Sequence, residues 1–251
     1  MSNKNKEAAW FGNKNVNPDE KQGLVSHVFD SVADQYDLMN DVMSGGIHRL
    51  WKDQLVRIIA PTGNDHILDV AGGTGDIAFR LHKRTDGKAR ITVCDINPEM
   101  LRVGQARAID KGLLEGLVWT EGNAESLPFQ KDQFDIYTIS FGLRNVPHID
   151  QALADAYRVL KPGGRFYCLE FSHMPSATLQ KLYDQYSFNF IPKFGKLIAN
   201  DKDSYQYLVE SIRQFPKQED LKQRLIDTGF QRVAYKNLSF GIAAIHSGYK
   251  F

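Results

Sequence analysis

At 251 residues, with 24% charged residues and a net charge of +1, the chain has room for one large α/β domain or two small ones. It lacks the basic field of a nucleic-acid binder. Its two cysteines, Cys94 and Cys168, each sit inside an apolar run, which reads as two buried small hydrophobes rather than a redox or metal site. No apolar run approaches the roughly 20 residues needed to span a bilayer. Residues 1–16, MSNKNKEAAWFGNKNV, lack a signal peptide's apolar core and a transit peptide's arginines, so a cytoplasmic protein is expected.

In chain order, residues 24–60 read as helical. Val25, Val28, Phe29 and Val32 fall at i, i+3, i+4 and i+7, on one face. The pattern breaks at Ser44-Gly45-Gly46, resumes through Leu50, Trp51, Leu55, Ile58 and Ile59, and closes at Pro61. Strands and helices then alternate: strand 66–71, helix 76–84, strand 91–96 and a helix to about residue 109 opened by Asn97-Pro98. Strands follow at 117–121 and 134–140. A helix over 150–160 is ended by Lys-Pro-Gly-Gly at 161–164, and a further strand covers 165–171. Such alternation predicts a mainly parallel sheet with helices on both faces. The pattern lapses between Ser172 and Pro216, a long aromatic segment interrupted by Pro175, Pro192 and Gly195, and an insertion of that size is usually functional. A helix at 219–228 and two β-like runs, 232–238 and 242–247, close the chain. The short turn between the runs predicts an antiparallel hairpin.

The chemistry concentrates after the first strand. Residues 67–76 read ILDVAGGTGD, and Asp95 ends the next apolar run, 20 residues past Gly75. A buried strand entering a glycine turn, with a carboxylate delivered by the next strand, is how an α/β sheet holds a nucleoside at its carboxyl edge. Residues 73–78 also fit the dinucleotide pattern G-x-G-x-x-A, but a pyrophosphate rests on a helix N-terminus. Asp69 at the strand end and Asp76 in the first helical turn would repel it. They would attract a ligand carrying an ammonium and a sulfonium, and S-adenosylmethionine is such a ligand. Asp95 can accept both ribose hydroxyls, with Gly73 and Gly75 shaping the turn. After the third strand, residues 122–129 read GNAESLPF. There the Asn123 side chain and the Ala124 backbone N–H are placed to meet an adenine edge.

These segments, with Val159-Leu160-Lys161-Pro162-Gly163-Gly164, together resemble a class I S-adenosylmethionine-dependent methyltransferase. That resemblance implies a Rossmann-like, seven-stranded, mostly parallel sheet with an antiparallel last strand. Two further segments narrow it. Tyr36-Asp37-Leu38-Met39-Asn40 with Ser44, His48 and Trp51, and residues 158–172 from Arg158 through Glu170 to Ser172, resemble the two signatures of the ubiquinone/menaquinone biosynthesis C-methyltransferase family. Ser140-Phe141-Gly142-Leu143-Arg144-Asn145 and the Gly-Tyr-Lys-Phe end match as well. The resemblance covers nearly the whole chain. It implies a single domain over 1–251, with an N-terminal helical lid over 1–60 and an insertion over 172–217. It also implies methylation of a ring carbon of a polyprenylated benzoquinol or of demethylmenaquinol, and donor contacts at Thr74, Asp95, Asn123, Ala124 and Ser140.

A ring carbon becomes nucleophilic when its ortho hydroxyl loses a proton, so the site needs a group that favours phenolate. Arg144 leaves the fourth strand at the carboxyl edge and stays protonated. It is therefore expected to stabilise the phenolate rather than to act as base; the alternative is a structural ion pair. Tyr36, Asp37, Asn40 and His48 are candidates for the lid, with Tyr36 as a candidate catalytic residue and His48 as a candidate general base. Leu179, Leu182, Tyr183, Tyr186, Phe188, Phe190 and Phe194, mixed with Lys181, Lys193 and Lys196, suit either a lid over the sheet or an interfacial surface that draws the isoprenoid tail from lipid. Peripheral membrane contact, a quinone-synthesis assembly and an oligomer stay open as partners. The rival readings are an NAD(P)-dependent oxidoreductase and a catalytically inactive scaffold of a quinone-synthesis complex.

Overall fold

The structure, a computed structural model, describes residues 9–11, 14–17, 20, 21, 23, 41, 44, 46–175 and 202–251. Two short strands, β1 (Ala9–Phe11) and β2 (Lys14–Val16), form an antiparallel pair. Gly46, at φ +80°, precedes helix α1 (His48–Ile59). The helix buries His48, Trp51, Lys52, Leu55, Val56 and Ile59 on one stripe and ends at Ala60 in a left-handed turn (φ 45°). Leu50, which the sequence pattern counts with the apolar set, is 67% exposed. It lies one position off the i, i+3, i+4 stripe that Trp51, Leu55 and Ile59 define. The candidate helical positions Val25, Val28, Phe29 and Val32 lie outside the described residues.

Then come β3 (His66–Val70), α2 (Asp76–Arg84), β4 (Arg90–Asp95), α3 (Pro98–Asp110), β5 (Leu117–Glu121), β6 (Phe134–Ser140), α4 (Ile149–Val159), β7 (Leu160–Phe171), α5 (Lys202–Gln214), α6 (Gln218–Thr228), β8 (Gln231–Leu238) and β9 (Ala243–Tyr249). The start of α3 forms as its sequence dictates: Asn97 Oδ1 accepts from the N–H groups of Glu99 (2.9 Å) and Met100 (3.1 Å), and Pro98 takes the first helical position.

Seven strands make one sheet in the order β5-β4-β3-β6-β7-β9-β8. β5, β4, β3, β6 and β7 are parallel, and β9 runs antiparallel between β7 and β8. The expected hairpin is β8–β9. Strand alternation sends Ile67, Ile91, Val93, Ile136 and Leu169 to the face covered by α1 and α2. Leu68, Val70, Cys94, Ile139 and Cys168 go to the face covered by α4 and α6. Both cysteines are buried, and burial pushes their thiols up, that of Cys94 to about 12.

One expectation is corrected. Lys-Pro-Gly-Gly at 161–164 does not separate α4 from the next strand, because β7 begins at Leu160. Leu160 pairs with Phe134 and Arg165 with Ile136, so residues 161–164 bulge out opposite a single residue. The bulge has Gly163 at φ +82° and is paired to the chain end: Gly163 N–H donates to Lys250 O (2.7 Å) and Lys250 N–H to Gly164 O (3.0 Å). The Lys250 ammonium closes the C-terminus of α4 by donating to Tyr157 O (2.8 Å) and Leu160 O (2.6 Å).

Candidate active site

The chain turns one way from β3 to β4 and β5, and the other way to β6 and β7. The carboxyl ends of β3 and β6 therefore part, and a cavity opens there. Both strands leave the sheet through a left-handed residue, Ala71 (φ 50°) and Phe141 (φ 56°). Strain of that kind in non-glycine residues persists where the surroundings enforce it and gathers at functional sites.

Asp69 is fully buried in the cavity wall. Register sets Thr138 beside it, and the Thr138 hydroxyl donates to Oδ1 at 2.7 Å, while Oδ2 has no hydrogen-bond partner. Burial pushes this carboxyl up to about 7, against the Thr138 hydrogen bond, and the nearby Asp76 and Asp95 charges add to the shift. Asp95 is held by two backbone donors, Gly73 N–H at 2.8 Å on Oδ2 and Asn97 N–H at 2.9 Å on Oδ1. Burial raises it to about 6 despite these bonds. Each oxygen keeps a lone pair for a further donor. Asp95 thus ties the glycine loop to β4 and still faces the cavity.

Thr74 and Gly73 line the cavity, but Gly75 does not. Gly75 sits at φ +84°, where a Cβ would lie 2.6 Å from the Trp119 ring. It serves the turn and its packing against Trp119. Asn123 and Ala124 line the cavity. The Asn123 side-chain Oδ1 accepts from Glu125 N–H at 2.9 Å, which folds its own loop. Asp155 and Arg158 hold that loop: Leu127 N–H donates to Asp155 (2.6 Å), and Arg158 donates to Phe129 O (2.7 Å) and Leu127 O (3.0 Å). Ser140 lines the cavity with its hydroxyl buried and unpartnered.

Asp76 departs from the free carboxylate that the sequence suggests. It pairs with Lys52 Nζ at 2.6 Å and Arg80 Nε at 3.0 Å, and Arg80 also pairs with Asp53. Burial alone would raise Asp76, but Lys52 and Arg80 hold it below its ordinary value.

The two described candidate catalytic residues, Arg144 and His48, do not line the cavity. The Arg144 side chain is fully buried; Nη1 meets Glu170 Oε1 at 2.8 Å and donates to Phe141 O. Burial raises Glu170 against the pull of Arg144. The neighbouring Asn145 does line the cavity, and its Oδ1 accepts from the Tyr207 hydroxyl of α5 at 3.0 Å. His48 is buried, with Nε2 3.6 Å from Asp41 Oδ1. Burial, reinforced by Lys52, pushes it down to about 4, so it is neutral and a weak base near neutral pH. It does not line the cavity. Tyr36, Asp37 and Asn40 lie outside the described residues.

Sequence reasoning missed Lys52, Asn97, Met100 and Asn145, all in the cavity wall. Lys52 carried a signal: a lysine between Trp51 and Leu55 on an apolar stripe needs a buried partner.

Sheet order, glycine loop and paired acids define the architecture of class I methyltransferases. A possible histamine N-methyltransferase from Thermotoga maritima, a SAM-dependent methyltransferase, shares the fold at TM-score 0.62 and 19% identity, over 90% of this chain and 99% of that one. The [4+2]-cyclase SpnF does so at TM-score 0.67 and 18% identity, over 90% and 95%. A cyclase on this fold shows that the fold alone does not fix the reaction. Sequence is more specific. The ubiE/COQ5 methyltransferase family matches residues 15–250, and the chain belongs to it. The chain is 57% identical over 242 residues to the ubiquinone/menaquinone biosynthesis C-methyltransferase UbiE of Brucella abortus (strain S19), covering 96% of this chain and 90% of that one.

Proposed function

We propose that the protein transfers the methyl group of S-adenosylmethionine to a ring carbon of a polyprenylated quinol, 2-polyprenyl-6-methoxy-1,4-benzoquinol or demethylmenaquinol, in ubiquinone and menaquinone biosynthesis. The observation that carries the donor is the cavity wall itself: Asp69 Oδ2 and the Ser140 hydroxyl are buried polar atoms without a partner, beside an Asp95 that keeps accepting capacity. Unpartnered buried polar atoms are costly in a folded protein, and a nucleoside with a cationic end satisfies this set. The acceptor rests on family membership.

When bound, S-adenosylmethionine supplies an electrophilic methyl group on sulfur. Asp95 accepts from the ribose hydroxyls, held rigid by Gly73 and Asn97. Asp69 supplies the negative field that favours an ammonium and a sulfonium. Thr74, Asn123, Ala124 and Ser140 complete the nucleoside contacts. Arg144 stays protonated and acts through its neighbours, fixing the 141–147 turn against Glu170 so that Asn145 faces the acceptor; the contacts described here support this positioning role more than direct contact with a phenolate. For His48, a value near 4 favours packing over general-base work.

The N-terminal segment and the 172–217 insertion are read as one cover over a single domain. Both reach the same turn: Lys21 Nζ donates to Val146 O (3.2 Å) and Arg144 O (3.4 Å), and Tyr207 donates to Asn145. The acceptor's isoprenoid tail favours work at the cytoplasmic face of a membrane. No helix among the described residues is long and apolar enough to cross one, and the aromatic and basic residues 177–200 lie outside the described residues. Liposome flotation of the wild type and of Phe190→Ser/Phe194→Ser tests the contact; a wild type that stays unbound contradicts it.

Equilibrium binding tests the donor assignment. The protein is expected to take S-adenosylmethionine or S-adenosylhomocysteine in preference to NAD. A preference for NAD would restore the oxidoreductase reading, which family membership disfavours. Binding of the donor without turnover of either quinol would restore the inactive scaffold.

A further inference from the structure

We infer that Lys52, clamped to Asp76, binds the carboxylate of the methyl donor's amino-acid end, so that the Lys52–Asp76 pair recognises an α-amino acid zwitterion. The inference rests on the donor assignment above and adds a contact that the glycine loop and Asp95 do not supply. Lys52 lies on the buried stripe of α1, 3% exposed, yet it lines the cavity. Among the described lining residues it is the one lysine or arginine, set in a wall that holds Asp69, Asp76 and Asp95. A carboxylate entering that wall meets three acids. Without a cation to receive it, repulsion would oppose the attraction that the ammonium and sulfonium gain.

The structural explanation, that Lys52 exists to neutralise Asp76, is weakened by Arg80. Arg80 already holds the other oxygen of Asp76 at 3.0 Å and reaches on to Asp53. Lys52 takes Oδ2 at 2.6 Å with one of the three N–H donors that an ammonium carries. Its other neighbour on the cavity side is the Phe141 ring, 5.9 Å from Nζ to centroid. The ring favours a cation there but accepts no N–H bond of ordinary strength. A buried ammonium with donor capacity left, facing a cavity, is suited to an anion. Asp76 beside it keeps the pair near neutral, so the matching ligand group is a zwitterion rather than a bare anion such as phosphate.

The test is isothermal titration of the wild type, Lys52→Met and Lys52→Arg with S-adenosylhomocysteine, its decarboxylated analogue and 5′-methylthioadenosine. The wild type is expected to bind S-adenosylhomocysteine about 10- to 100-fold more tightly than the decarboxylated analogue, the range of a charge-assisted contact. Lys52→Met should lose that preference while holding the analogue within about threefold of wild type, and Lys52→Arg should keep most of it. Equal weakening of all three ligands in Lys52→Met would make Lys52 a structural residue and overturn the inference. So would a wild type that does not discriminate, a measurement that needs no variant to fold. A wild type that binds none of the three, 5′-methylthioadenosine included, would overturn the donor assignment and the inference with it.

Discussion

Burial holds the Asp69 carboxyl near 7 and the Asp95 carboxyl near 6, against an ordinary 3.8 for each. A cationic ligand needs both ionised, so donor affinity should rise as pH climbs from about 5 to about 7.5, below the range where the ligand's own ammonium loses its proton. Titration of S-adenosylmethionine binding across that window checks this, and Asp69→Asn should flatten the upper part of the curve. The sign for stability is the reverse. A carboxyl raised on folding contributes stability below its unfolded value, and that contribution is lost as pH rises through the folded value. This contribution should fall between about pH 4 and 7, so the stability of Asp69→Asn relative to wild type should rise across that window, as followed by urea unfolding of both proteins at a series of pH values. Arg144 and Glu170 form a buried charged pair. Glu170→Gln removes a buried anion paired with Arg144 and should lower the unfolding free energy, by up to about 3–5 kcal/mol. If Arg144 acts by position, Arg144→Lys should lower kcat while leaving donor binding unchanged. Unchanged turnover in Arg144→Lys and in Arg144→Ala would remove any role for it in the reaction. Asp69, Asp95, Asn123 and Ser140 were legible because each ends a strand or opens the loop after one. The pairing of Arg144 with Glu170 in particular, and of Asp76 with Lys52, was not, since partners on β7 and α1 come together only in three dimensions.

The glycine turn between β3 and α2 works through packing as much as through ligand contact. Gly75→Ala combines a left-handed backbone with a Cβ 2.6 Å from Trp119, so a loss of at least about 2 kcal/mol in unfolding free energy is expected. An unfolding curve matching wild type would contradict the packing. Most elements follow directly from pattern: uninterrupted apolar runs for the buried parallel strands, and an Asn-Pro start for α3. The bulge at 161–164 escaped because Pro-Gly-Gly reads as a stop. What keeps those residues in β7 is hydrogen bonding to Lys250 at the other end of the domain. Leu50 escaped for a related reason, since helical periodicity does not say which residue at the edge of a stripe faces out.

Across the whole molecule, sheet order places the four loops after β3, β4, β5 and β6 around one cavity, and segments from both ends of the sequence reach its rim through Lys21 and Tyr207. The wall proposed to hold the donor follows from local sequence because one strand–turn–helix unit and the next strand build most of it. The wall around Asn145, proposed to face the acceptor, depends on long-range contacts, and the acceptor's chemistry was read from family resemblance. The most direct measurement of the central claim is mass spectrometry of each quinol after incubation with the protein and methyl-labelled S-adenosylmethionine. The account predicts a quinol product carrying the labelled methyl on a ring carbon, with S-adenosylhomocysteine formed in equal amount. Donor binding without label in either quinol would contradict it.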